Sequence, residues 1–326
     1  MTELLLIVKK LTVRKIINLL IRNFCIFLTK ISGRLIIKGM PWSYSIEPTN
    51  ICNLKCKECV SGLGMIKRRR GNLKMEDFKK AADQIAPWAV NCFLYFQGEP
   101  FINQDFTEMI KYADSKGIFI ATSTNGHFID YDTAKKISIS GLDKIIVSLD
   151  GYNQESYSAY RVNGNYERVI QSIKHLAQAK KDLNRKNPVI EVQTIVNKIN
   201  EKHLTKIKQT AKEAGADIFA LKTMQIEIEK DFNTFKTNID KYSRYDANNK
   251  LKHKIGFCNR ILNSAVITID LDVLPCCYDK DAELKLGNLR NTDLKTVLTS
   301  DCSIKLYKKI EFQRPKRPAM CSNCGG

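Results

Sequence analysis

Long apolar runs are missing from this 326-residue sequence. Those near the N-terminus, Leu4 to Val8, Ile16 to Ile21 and Phe24 to Leu28, are short and broken by Lys9, Lys10, Arg14, Lys15 and Arg22, whereas a spanning helix needs about 20 apolar residues. The pattern argues against a membrane span and carries no secretory signal, so the expected compartment is the cytoplasm, where thiols stay reduced. Histidine is scarce: His127, His175, His203 and His253 form no metal-spaced set. Acids are also few, 34 against 53 Lys and Arg, for a net charge of +19. Such an excess would suit a nucleic acid, a membrane surface or an acidic substrate. Aromatic residues do not interleave with the basic runs as a nucleic-acid stacking groove requires, and no nucleic-acid partner is expected. No internal repeat or low-complexity segment is evident.

Cysteine is plentiful and unevenly placed. Cys52, Cys56 and Cys59 cluster early, and Cys258, Cys276, Cys277, Cys302, Cys321 and Cys324 crowd the last quarter. Uneven clusters point to metal rather than to a disulfide framework. From Tyr44 to Met224, short β-branched runs alternate with amphipathic stretches. Strands are expected at 44–47, 92–96, 118–123, 144–149, 189–196 and 217–221, with helices at 75–85, 106–116, 131–138, 166–181 and 202–214. That alternation predicts βα units on a parallel sheet. A polar stretch, Glu227 to Lys254, reads as a join, and Ala265 to Asp270 with Val273 to Cys276 reads as a hairpin turning at Leu271-Asp272.

The three early thiols leave the first strand at its C-terminal end, where parallel α/β barrels keep their active sites. Three thiolates can each take one iron of a [4Fe-4S] cube and leave the fourth open to another ligand. Zinc sites instead pair CxxC with CxxC or with histidines. Cys52-Asn-Leu-Lys-Cys56-Lys-Glu-Cys59 resembles the CxxxCxxC signature of the radical S-adenosylmethionine (SAM) superfamily. The resemblance implies a partial (β/α)6 TIM-like barrel. It also implies a SAM-binding cluster whose electron cleaves SAM to methionine and a 5'-deoxyadenosyl radical, which abstracts hydrogen from a substrate. Gln97-Gly98-Glu99-Pro100 resembles the family's GGE-type motif, with Gln97 in place of the first glycine, and implies an acceptor for the SAM ammonium. Ser123, Thr124 and Asn125 resemble the stretch that meets the ribose or carboxylate; Ser148 and Asp150 belong to an SxDG-like stretch. Tyr160-Arg161 with Gly164 resembles YRxxG, so Arg161 is expected to pair with the SAM carboxylate through its planar fork. Val196 lies where the family packs adenine.

The tail, with Cys258, Cys276-Cys277 and Cys321-Ser-Asn-Cys324, resembles the auxiliary-cluster domain called SPASM, or its shorter twitch form. Cys258, Cys276, Cys321 and Cys324 are the expected ligands of a second [4Fe-4S] cluster, and Cys277 is the spare. Cys25, Cys92 and Cys302 are expected to be buried free thiols. The expected organisation is a basic arm over 1–43, a barrel over 44–226, a linker over 227–257 and a small iron-sulfur domain over 258–326. The resemblance also implies an electron donor such as flavodoxin or ferredoxin. The substrate class (small molecule, carbohydrate, lipid-linked molecule or peptide) stays open. The competing reading is a basic nucleic-acid-binding protein with structural zinc.

Two basic features need separate accounts. Lys67-Arg68-Arg69-Arg70 reads either as a solvated loop or as an anion-binding rim. In the arm, Val13, Ile16, Ile17, Leu20, Phe24, Phe27 and Ile31 recur at helical spacing while Arg14, Lys15 and Arg22 point away. Such a helix either docks on the barrel by its apolar stripe or lies on the inner face of an anionic membrane.

Overall fold

The computed structural model describes residues 3–253 and 256–324. Two helices lead the chain, α1 (Glu3–Lys9) and α2 (Val13–Ser32). The Thr12 hydroxyl caps α2 by accepting from the Lys15 amide, and Gly33 ends it in the left-handed region at φ 64. There follow β1 (Ser43–Ile46), α3 (Met75–Ile85), β2 (Asn91–Phe93), α4 (Phe106–Ser115), β3 (Phe119–Thr124), α5 (Tyr131–Ser138) and β4 (Lys144–Ser148). Helices α6 (Gln154–Tyr160) and α7 (Tyr166–Asp182) precede β5 (Val189–Val196), α8 (Leu204–Glu213) and β6 (Ile218–Thr223). Helix α6 was not anticipated. It is seven residues long and rests on a capping box between Asn153 and Ser156, too short to show a clear helical period.

Strands β1 to β6 pair in parallel, in chain order. One face of this curved sheet packs on the helices: Tyr44, Ile46, Cys92, Ile120, Val147, Ile190 and Val192 share a core with Phe78, Ile110, Ile137 and Ile173. Because side chains alternate along a strand, their neighbours Ser43, Ser45, Phe93 and Ala121 face the barrel interior. The lower interior is closed by α1, whose Leu6 packs on Phe119, Ala121 and Val189. The Glu3 carboxylate accepts from Lys144 Nζ at 2.9 Å.

The segment read as a join is more ordered than its composition suggested. It holds the short helix α9 (Phe232–Phe235), whose Phe235 joins Tyr160, Met224, Ile226 and Tyr245 in a small core of its own. The tail begins with α10 (Asn259–Asn263) and β7 (Ser264–Ile267), which pairs in parallel with β1 and extends the barrel sheet. Strands β8 (Asp272–Leu274) and β9 (Gly287–Asn288) add on antiparallel, and α11 (Leu294–Thr299) and α12 (Asp301–Phe312) follow. The hairpin turn is wider than expected: β7 stops at Ile267, and the Leu271 amide donates to Thr268 O with Leu271 at φ 64. Cys25 and Cys92 are buried, but Cys302 is exposed at the start of α12.

The arm docks the other way round from a simple apolar-inside helix. Lys15, Asn18, Arg22 and Thr29 are buried, while Val13, Ile16, Ile17, Leu20, Phe24, Phe27 and Ile31 are exposed. Lys15 Nζ donates to Gly117 O at 2.6 Å, Asn18 exchanges two bonds with the Met40 main chain, and Arg22 donates to Leu262 O and Gly39 O. Burial, with Lys10 nearby, pushes the Lys15 amine down to about 8. Among the described residues no helix is long and apolar enough to cross a membrane.

Candidate active site

The loop after β1 carries Cys52, Cys56 and Cys59 into a cavity of about 280 Å³ at the C-terminal ends of the strands. Neighbouring chain holds that loop in shape. The Lys55 and Lys57 amides donate to Val162 O and Tyr160 O at 2.9 and 3.0 Å, so the end of α6 and the residues just after it clamp the loop. Gly62 passes so close that an added Cβ would lie 2.7 Å from the Cys56 nitrogen. Burial pushes the Cys56 thiol up to about 11, against the pull of Arg161, and raises Cys52 as well. Three thiols face the cavity and its other lining residues include no Cys or His. This donor set fits a cube with one open iron.

Glu99 stands on the same cavity, fully enclosed. It accepts from the Asn125 amide at 2.7 Å, the Thr124 hydroxyl at 2.8 Å and the Phe101 amide at 3.3 Å. Burial nevertheless raises its carboxyl to about 7. Gly98 before it has φ 75, and a Cβ there would meet Ile51 O and Thr49 O at 2.7 Å. Glycine is required by both conformation and space. Asn125 Nδ2 donates to Asn53 Oδ1 at 2.8 Å and lies 3.9 Å from Cys52 Sγ, tying the β3 end to the cysteine loop. His127 braces the same turn: its Nδ1 lies 2.9 Å from Asn125 O, and its Nε2 accepts from the Asn165 amide at 2.8 Å.

Of the expected SAM contacts, Gly98, Glu99, Ser123, Thr124, Asn125, Ser148 and Arg161 line this cavity. Asp150 and Val196 do not. Asp150 lies behind Arg161, accepting from its Nε at 2.6 Å and from the Ile195 amide at 2.6 Å. Val196 is buried, and Ile195, one position earlier on the alternating strand, faces the cavity instead. Ser61, Tyr95, Phe96 and Gln193 also line it and were not anticipated. Only Gln193 and Ile195 had a usable signal, as the inward pair at the end of β5.

The tail thiols form a second group. Cys258, Cys276, Cys321 and Cys324 line a cavity of about 290 Å³ with Phe257, Tyr278 and Met320. Four thiols around one space suit a fully ligated cube. Cys277 turns to a different cavity, a trough of about 480 Å³, where its sulfur lies 3.4 Å from Arg260 Nη1. That trough runs along the barrel interior from Trp42 and Asn263 to Tyr95 and Phe96, which it shares with the cavity of the three early thiols.

In the run at 67–70, Lys67, Arg69 and Arg70 are exposed, as a solvated loop would have them, but Arg68 turns inward. Arg68 places both terminal nitrogens on Glu47, at 2.6 and 2.5 Å, and its Nε on Lys280 O at 3.0 Å. Burial pushes the Glu47 carboxyl up, and Arg68 pulls it down. Arg69 pairs with Asp270 at 2.7 Å and the Lys67 amide donates to Asp281. The run staples the barrel to the tail.

A family model described as the radical SAM superfamily matches residues 46–211, half of the chain. The chain belongs to the radical SAM superfamily. A second model, an iron-sulfur cluster-binding domain, matches residues 258–325. Proteins of this domain pair bind SAM and an auxiliary [4Fe-4S] cluster beside the radical SAM one. AdoMet-dependent heme synthase of Methanosarcina barkeri is 29% identical over 171 residues, 52% of this chain and 47% of that protein. Mycofactocin maturase MftC of Mycolicibacterium smegmatis is 32% identical over 133 residues, 41% of this chain and 33% of that one. The chain thus spans less than half the length of these curated relatives. SuiB of Streptococcus suis, solved bound to SAM, superposes with a TM-score of 0.64 at 16% identity, over 93% of this chain and 76% of its own. The radical SAM assignment agrees with the partial barrel expected from the βα alternation, and nothing in the fold or the similar proteins supports the nucleic-acid-binding alternative.

Proposed function

We propose that this radical SAM chain cleaves SAM at a cluster on Cys52, Cys56 and Cys59 and abstracts hydrogen from a substrate seated in the adjoining trough. The observation that carries the reading is the meeting of three thiols, an enclosed carboxylate and a guanidinium on one cavity. When bound, the cluster supplies the electron that cleaves SAM to methionine and a 5'-deoxyadenosyl radical. The chain's own residues bind and orient SAM. Glu99 accepts the ammonium, since its neighbours already hold the carboxylate in place. Asp150 occupies Arg161 Nε, which turns the terminal nitrogens of the fork toward the SAM carboxylate. Ser123, Ser148 and Gln193 offer hydrogen bonds to the ribose, and Ile195 offers an apolar surface to adenine. The four tail thiols hold the auxiliary cluster for electron transfer, and a flavodoxin or ferredoxin serves as donor.

The trough favours a small molecule or carbohydrate. Trp42, Phe93, Tyr95 and Phe96 give it an aromatic wall, and Trp42 Nε1 and Asn263 Oδ1 are buried there without a hydrogen-bond partner. Buried polar atoms of this kind are normally satisfied, and a substrate with both an apolar face and polar groups would satisfy them. A peptide is the second reading, favoured because SuiB has been solved bound to its precursor peptide SuiA. Anaerobic, reconstituted protein given SAM and dithionite tests the chemistry. 5'-Deoxyadenosine should form, and Cys56→Ala should abolish it; cleavage retained in a Cys52/Cys56/Cys59 triple alanine variant would refute the assignment.

A further inference from the structure

The N-terminal helix pair holds most of the exposed apolar surface and has no part in the function above. Of the 17 exposed large hydrophobic side chains among the described residues, 11 lie between Leu4 and Ile31. On α2 they form one stripe, Val13, Ile16, Ile17, Leu20, Phe24 and Phe27, ending at Ile31. Single exposed apolar residues are ordinary, but a contiguous stripe of this length marks an interaction surface. The helix cannot roll to hide it, because Lys15, Asn18 and Arg22 on the opposite face are bonded to main-chain carbonyls beneath the sheet.

Charge decides the partner. Lys9, Arg14, Lys30, Arg34 and Lys38 are exposed along this arm. Its single acid, Glu3, is tied to Lys144. We propose that the exposed face of α1 and α2 lies on an anionic lipid surface. A bilayer with anionic headgroups offers apolar depth for the stripe and negative charge for the cations beside it. A second copy of this chain offers no such match, because face-to-face arms, each of net charge +7 over residues 1–40, would bring cations together without an acidic complement.

The docking bonds also orient the protein. Glu3 reaches Lys144 at the start of β4, Lys15 reaches Gly117 just before β3, and Arg22 reaches Leu262 just before β7. All three lie at the N-terminal ends of the strands, whereas the cysteine loop leaves β1 at its C-terminal end. The catalytic cavity therefore stands at the end of the barrel remote from the lipid.

The inference is independent of the SAM chemistry and is tested by flotation of the full chain. It should float with phosphatidylglycerol/phosphatidylcholine vesicles and far less with phosphatidylcholine alone, and added salt should weaken the binding. A Leu20→Ser/Phe24→Ser/Phe27→Ser variant alters only exposed positions. It should keep its thermal melting profile and lose at least about tenfold in vesicle partitioning. Arg34→Glu/Lys38→Glu should reduce the preference for anionic vesicles, and an unchanged preference would count against the electrostatic part of the proposal. Absence of flotation, or equal flotation by the triple serine variant, overturns the proposal. So does a dimer in light scattering that the triple variant splits, which would make the stripe a self-interface.

Discussion

Asp150 and Arg161 form a 2.6 Å ion pair at the rim of the thiol cavity, with Arg161 Nη1 3.9 Å from Cys56 Sγ. Asp150 is fully enclosed and also accepts from the Ile195 amide. One carboxylate therefore sets the position of both the guanidinium and the end of β5.

Replacing Asp150 by Asn should accordingly weaken SAM binding without touching a residue that lines the cavity. The expected loss for a charge-assisted bond is about 1.5–3 kcal/mol, read by equilibrium SAM binding to cluster-loaded protein. Arg161→Lys should lose a similar amount, because an ammonium cannot hold Asp150 and the SAM carboxylate with one planar fork. Unchanged affinity in both variants would remove Arg161 from the SAM site.

If Glu99 accepts the SAM ammonium as proposed, SAM binding should be pH-dependent. Burial raises the folded-state Glu99 carboxyl to about 7, so between the ordinary carboxylate range and that pH it holds a proton that the unfolded chain has already lost. Its contribution to stability is greatest at low pH and is lost as pH rises through about 7. An ammonium needs the ionised form, so SAM affinity should strengthen over the same window. Glu99→Gln should bind more weakly, by about 1–3 kcal/mol, with a flat profile between pH 6 and 7.5. A wild-type profile that is equally flat would contradict the assignment.

Iron and sulfide analysis separates the two thiol sets. Each cube holds about four irons, and alanine at Cys52, Cys56 and Cys59 should leave the tail cluster in place. Cys276→Ala should lose the tail cluster and Cys277→Ala should keep it, since only Cys276 lines the cavity shared with Cys258, Cys321 and Cys324. The reverse pattern in electron paramagnetic resonance would exchange their roles.

The staple between barrel and tail should dominate stability over its exposed neighbours. Arg68→Met strands the enclosed Glu47 carboxylate and should cost about 3–5 kcal/mol in thermal or denaturant unfolding. Arg69→Ala breaks a pair whose partners are 56% and 31% exposed, and should cost under about 1 kcal/mol. Equal losses would mean that burial of the Glu47 pair contributes nothing.

Much of the barrel was legible because its signals are local. The helices at 75–85 and 131–138 and the strand at 189–196 fall where periodicity put them. The cysteine triplet is a short run on one loop, readable from spacing alone. Helix α6 escaped because its seven residues carry a cap but little period, and with it went the clamp that Tyr160 and Val162 place on that loop. The addition of β7 to β1 could not be read either, since pairing across more than 200 residues leaves no trace in local pattern.

The arm divides the two kinds of information most clearly. Spacing alone pointed to a helix between Val13 and Ile31 with an apolar and a polar side. Only the tertiary structure decided which side is buried. The N-terminal ends of the strands present unpaired main-chain carbonyls at Gly117, Gly39, Met40 and Leu262, and Lys15, Asn18 and Arg22 supply the donors. A buried carbonyl needs a partner, and only the polar side of the helix carries donors, so hydrogen bonding to these carbonyls fixes which side faces the barrel.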